Sequence, residues 1–271
     1  MNIYIVAHQD DWMLFRGEQS AMHLRNPDEQ VLFIHLTAGD AGERNGWWEA
    51  REIATVMAVK QHIGDAPILI SRPTIQSHQL QRYQISHAIL YFFRCNDGGK
   101  QGMGYKQTGY RSLSLLRDQG KALRTADKST QYQSWDDLVS TLARVVKREC
   151  KRQTPQYNSG QCWIHCSDYS HITNPRDHAD HRATADAVRS FCAEEGYGRI
   201  WFASYCNRER AANLSVEAFE AKRSLFMAYG HELGRLMGIG ASGINQEEWG
   251  WWGSKSYARW KEPGTKDDDQ P

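Results

Sequence analysis

The chain opens on a short apolar run, Asn2-Ile3-Tyr4-Ile5-Val6-Ala7, that stops abruptly at His8-Gln9-Asp10-Asp11. One imidazole and two carboxylates within four residues of a strand end build a core poorly. They are well suited to holding a divalent cation beside a base. Downstream, His178-Ala179-Asp180-His181 offers two further imidazoles. These two segments constrain the fold, because it has to bring them together.

The surrounding pattern supplies a way to do so. Strand-like segments at 3–7, 31–36 and 67–71 alternate with helical spacing at 13–25 and 47–62. Later segments continue the alternation: helix over 135–151, strand over 161–166, helix over 183–194, strand over 199–205 and helix over 215–229. Residues 85–93 are compatible with strand or helix. Such alternation with short connections predicts an α/β fold, a Rossmann-like and mostly parallel sheet with helices on both faces. In such a sheet, ligands bind at the C-terminal ends of strands. His8, Asp10 and Asp11 follow the first strand, Thr37–Glu43 the second, and Asp168 with His178–His181 the strand at 161–166. Irregular segments rich in tryptophan and glycine, at 97–109 and 249–252, are expected near the same rim. We read residues 1–261 as one domain and the polar stretch from Glu262 as a frayed tail.

Bulk properties exclude other classes. With 33 basic and 32 acidic residues the net charge is +1, which argues against nucleic acid as the main partner. Arg144, Lys147, Arg148, Lys151 and Arg152 read as the solvated side of a helix. No apolar stretch approaches the roughly 18–20 residues of a membrane span. No basic leader or cleavage site opens the chain, so a cytoplasmic location is expected. The six cysteines form no CxxC pair and are expected to be buried thiols. The first strand is not followed by GxGxxG, which excludes a dinucleotide-binding dehydrogenase.

A lone Asp-Asp pair is ordinarily a helix cap, and His-x-x-His on a helix is often solvated surface. Their conjunction at strand ends favours a metal site. A catalytic zinc takes three protein ligands and leaves a position open for water. His8, Asp11 and one of the two downstream histidines meet that count. His35, inside a strand, reads as a core histidine. Tyr169 and His171 are weighed as oxyanion donors against plain loop hydrogen bonds.

Three blocks resemble a known family in order and spacing, over most of residues 1–205. Ala7–Asp11 resembles the AHPDD signature of the PIG-L/LmbE-type N-acetylglucosamine deacetylases, Thr37–Gly42 their TxGxxG loop, and His178–Thr184 their HPDHRAT block. The resemblance implies a Rossmann-like zinc hydrolase acting on an N-acylated amino-sugar glycoside. It implies His8, Asp11 and His181 as metal ligands, with zinc or another divalent ion. Asp10 matches the general base, and His178 the histidine that stabilises the oxyanion or protonates the amine. Arg51 matches a substrate-contacting arginine. Asp180 orients a histidine or caps a helix. Trp47 and Trp48 are read as substrate-stacking indoles, with burial of one of them in the core as the competing account. Gln9 and Trp12 depart from the family pattern and are expected to alter the pocket wall. With Gly46–Glu52 they resemble the branch that deacetylates teicoplanin-type glycopeptide precursors. The rival readings are an amidase on a non-sugar amide and a binding module without catalysis. Oligomeric state is not encoded in any recognisable way.

Overall fold

The computed structural model describes residues 1–153, 159–239 and 246–267. β1 (Asn2–Val6), α1 (Asp11–Arg25), β2 (Val31–Thr37), α2 (Trp47–Ile63) and β3 (Ile68–Ser71) come first. Two small hairpins, β4–β5 (Thr74–Ile75, His78–Gln79) and later one formed by Leu123–Arg124 and Gln131–Tyr132, lie outside the main sheet. β6 (Gln81–Ile85) and β7 (Ala88–Cys95) form a tight hairpin, followed by α3 (Leu113–Gln119), β8 (Leu123–Arg124) and β9 (Gln131–Tyr132). The chain continues through α4 (Trp135–Gln153), β10 (Trp163–Ser167), α5 (Ala179–Glu195), β11 (Gly198–Phe202), α6 (Val216–Met237), α7 (Gln246–Trp252) and β12 (Ala258–Lys261).

Eight strands form one sheet in the order β12-β11-β10-β1-β2-β7-β6-β3. β11, β10, β1, β2 and β7 run parallel, so the mostly parallel, Rossmann-like sheet is observed. The two-residue period of β1 explains why both faces are covered. Ile3 and Ile5 join a core with Leu138, Leu142 and Val145 of α4 and Val188 of α5. Tyr4 and Val6 join a second core with Phe15 of α1, Val59 of α2 and Leu225 of α6. The outer face of α4 carries Arg144, Lys151 and Arg152 to solvent, as its charge pattern requires.

Two expectations are corrected. The strand at 67–71 was expected to continue the parallel series. Instead it pairs antiparallel with β6 at the sheet edge, with Ile70 two-thirds exposed. β7, apolar at nearly every position and buried throughout, takes the place beside β2. The tail expected to fray from Glu262 is tied down as far as Asp267. That carboxylate accepts from Arg199 Nε at 3.1 Å and Trp201 Nε1 at 3.0 Å. Residues 268–271 lie outside the described residues. The six cysteines are free and buried, as expected. No helix among the described residues is long and apolar enough to cross a membrane.

A buried ion pair ties the β6–β7 hairpin to α2. Glu52 accepts from Arg94 Nη2 at 2.6 Å, Arg94 Nε at 2.8 Å and the Tyr83 hydroxyl at 2.9 Å. Glu52→Ala leaves the guanidinium buried without its main partner. It should cost about 3–5 kcal/mol, read as a lowered urea midpoint.

Candidate metal centre

The chain runs outward from β1 to β2 in one direction and later from β10 to β11 in the other. The strand order therefore switches between β1 and β10, and their C-terminal ends splay to leave a crevice. The His8–Asp11 turn leaves one strand there, and the segment leading to Asp177–His181 leaves the other.

His181 is fully buried and held from both sides. Its Nδ1 lies 2.8 Å from Asp177 Oδ1, and its Nε2 lies 3.0 Å from Asp11 Oδ1. Burial alone would lower its pKa, but Asp11 and Asp177 overcome it and raise the value to about 10. Burial works against the charge of His8 as well, and Asp11, Asp180 and Asp97 raise its pKa well above the ordinary range. Burial would raise Asp11; His181 and His8 hold it well below the usual carboxylate range. The second Asp11 oxygen accepts from the His8 backbone N–H at 2.7 Å.

Asp10 and Asp11 are adjacent but serve different partners. Asp10 occupies the cap position of α1 yet makes no capping hydrogen bond with its side chain, so the capping account of the Asp-Asp pair fails. Instead Asp10 Oδ1 accepts from Arg51 Nη2 at 2.5 Å. Arg51 is itself fixed, donating to Gly39 O at 2.9 Å and to the Tyr229 hydroxyl at 3.0 Å. Gly39 has φ +56°, and a Cβ there would stand 2.4 Å from the guanidinium. The second loop thus needs a glycine so that Arg51 can pass under it to Asp10.

His178 caps α5: its Nδ1 accepts from the Asp180 backbone N–H at 3.1 Å. That assignment places its proton on Nε2. Burial, then His8 and His181, push its pKa down to about 3. These surroundings favour the neutral ring. Asp180 is fully buried, accepts from Gly98 N at 2.8 Å and lies 3.4 Å from His8 Nε2. Its carboxylate serves the Gly98 backbone of the loop after β7 and stands beside His8. Burial raises its pKa to about 6.

A cavity of about 200 Å³ opens over this cluster. Asp10, Asp11, Arg51, His8, His178 and Trp47 line it, as read from the sequence. Asp97, Tyr205, Glu248 and Trp252 line it too. Trp48 does not; its indole lies 5.1 Å from the Arg94 guanidinium, beside a neighbouring cavity. Trp252 stacks on Tyr205 at 4.9 Å, whereas Trp249 packs on Phe226 of α6, so the cluster at 249–252 serves both site and core.

Three sequence readings are revised, and one pair of alternatives is decided. Trp12 does not alter the pocket wall. It is wholly buried and donates to His35 Nε2 at 3.1 Å, which confirms His35 as a satisfied core histidine. Gln9 is also absent from the cavity lining, and donates to Ala38 O at 2.8 Å. Tyr169 packs against Trp201, and His171 is exposed; neither lines the cavity. Asp168 is bound by Arg259 at 2.7 and 2.9 Å, away from the site. Sequence reasoning missed Asp97 and Asp177. Asp177 stands one residue before the His178 block, where an orienting carboxylate for a ligating histidine is commonly needed. Asp97 carried a signal only as the residue leaving an apolar strand.

The residues fit a cation. His8, Asp11 and His181 bring ligand atoms within 4.8 Å of one another. A second group, His8, Asp97, His178 and Asp180, does the same. Among the described residues, the buried His8 Nε2 and Asp180 Oδ1 have no hydrogen-bond partner.

Residues 3–192 match the PIG-L family, described as GlcNAc-PI de-N-acetylase. The chain belongs to the PIG-L family. Membership implies metal-dependent removal of an N-acetyl group from a GlcNAc-type substrate, and the buried His/Asp group could bind the metal. Among curated proteins, no match to the chain is found.

Neighbouring carboxylates favour the protonated rings of His8 and His181, so a cation binding there would have to displace those protons. Cation affinity should therefore rise with pH between 6 and 8, with proton release on binding. Calorimetry with zinc in buffers of different ionisation enthalpy measures both. The metal-free protein should show the opposite dependence. The raised His181 pKa stabilises the fold fully below about 6.5. That contribution is lost as pH rises through about 10.

Proposed function

We propose that this PIG-L family member hydrolyses the N-acetyl amide of a glucosamine-type sugar carried on a larger glycoside. In this reading His8, Asp11 and His181 hold zinc or another divalent ion. Two imidazoles and one carboxylate are a usual set for catalytic zinc. The Asp177 partner of His181 supports that choice. His178 is the weaker ligand, because its Nδ1 already accepts a backbone N–H.

The observation that carries the proposal is the division of labour between neighbouring carboxylates. Asp11 faces His181, and Asp10 faces the cavity under the Arg51 clamp. When bound, the cation polarises the acyl carbonyl and brings the pKa of a water down to about 7. Asp10 takes the proton of the attacking water as its oxygen bonds to the acyl carbon. Arg51 fixes the orientation of that carboxylate. His178 donates from Nε2 to the oxygen that becomes negative. As the C–N bond breaks, Asp10 returns its proton to the nitrogen, releasing acetate and a free amine.

Asp97 accepts from sugar hydroxyls, and Trp47 and Trp252 provide apolar faces for the ring. Trp12 is buried and Gln9 is away from the lining, so these two residues carry no argument for a glycopeptide aglycone. The larger-glycoside reading rests on the tryptophans around the cavity.

The test sets metal content beside amine release from an N-acetylglucosamine glycoside. Wild type and Asp10→Ala should each hold one equivalent of metal. The variant should lose turnover by about 100-fold or more. Asp11→Ala and His181→Ala should lose the metal itself. Near-normal turnover in Asp10→Ala would remove it as the base.

A further inference from the structure

A second cavity, of about 340 Å³, lies beside the first. Three separate chain segments straddle the two. Asp40, Trp48 and Asn96 line the second cavity, while their neighbours Ala41, Trp47 and Asp97 line the first. The dividing wall is bonded across: the Asp97 backbone N–H donates to Asp40 Oδ1 at 2.7 Å. The two cavities therefore adjoin along these three segments.

We infer that this second cavity is the subsite for the ring joined to the amino sugar, and that the ring is a neutral, hydroxyl-rich pyranose. The inference rests on the deacetylase reading above. The first cavity is below the roughly 300–1,000 Å³ of sites that hold a drug-sized ligand, so an attached ring has to lie outside it. The lining of the second is polar and charge-balanced. Asp40, Glu43 and Glu49 are offset by Arg44, Arg124 and Lys128. Such balance gives no net attraction to a phosphate, and it makes a poor surface for an acyl chain. It suits hydroxyls, which donate to carboxylates and accept from guanidinium groups. Trp48 adds an aromatic face. Asn96 is a buried residue on this lining, and its side chain makes no hydrogen bond among the described residues. Its amide, with two donors and an acceptor, is left for a ligand. The mouth is spanned by Arg44, which donates to Gln107 O.

The experiment compares kcat/KM of the zinc-loaded protein on four probes. These are methyl N-acetylglucosaminide, the β-1,4-linked disaccharide of N-acetylglucosamine, octyl N-acetylglucosaminide and N-acetylglucosamine 1-phosphate. The disaccharide should exceed the methyl glycoside by about tenfold, the worth of one hydrogen bond to a charged group. Asn96→Ala and Arg124→Ala should collapse that ratio towards one. Equal rates on methyl glycoside and disaccharide would overturn the subsite, as would a ratio that both variants leave intact. Preference for the octyl glycoside or the phosphate would overturn the assignment of its ligand. No amine from any probe would count instead against the deacetylase reading.

Discussion

The site depends on one buried arrangement: the His181 ring held between Asp11 and Asp177 where β1 and β10 diverge. Three groups that each favour water are taken out of it together. Each is tolerable only because the others are present. That mutual dependence fixes the approach of the turn after β1 to the start of α5, from opposite ends of the sequence. It also loads the site with positive charge that a divalent cation can replace, since the same imidazoles and carboxylate serve either a proton or a metal.

Around this arrangement the other loops are placed by single polar contacts. Arg51 reaches from α2 under Gly39 to Asp10, linking the ends of β1 and β2. Asp180 reaches from α5 to the backbone of Gly98, so the loop after β7 lies against the site. A Cβ at residue 98 would stand 2.6 Å from that carboxylate. On the opposite wall, buried Lys222 donates to the carbonyls of Trp252 and Lys255 and holds the tryptophan segment beside Tyr205. The cavity is bounded by the segments that follow β1, β2, β7, β10 and β11, and by residues of α1, α2 and α7.

Much of this was legible because the relevant signals are local. The β-branched run before His8, the helical spacing of 135–151 and the His-x-x-His spacing all sit within a few residues of one another. Other features were not legible because they depend on partners distant in sequence. Trp12 looks like a pocket residue when counted from Asp11, but α1 turns its indole inward to His35. The strand at 68–71 reads like its predecessors. Its place at the edge was decided by the stronger β6–β7 hairpin. His178 looks like a proton donor from its type alone. Only its backbone bond and buried neighbours reveal a neutral ring.

The sequence by itself determined the alternation of strands and helices, and with it a parallel sheet whose strand ends face one way. It also determined which residue types stand at those ends, because chain direction fixes which residues leave a strand at its C-terminus. Tertiary structure alone decided what each of them does. Asp10 and Asp11 are identical in type and adjacent in the chain. Arg51 claims one and His181 the other, from 41 and 170 residues away. Asp97 and Asp177 became part of the site for the same reason. The electrostatic character of a buried group is set by its neighbours in space, and those neighbours come from every part of the chain.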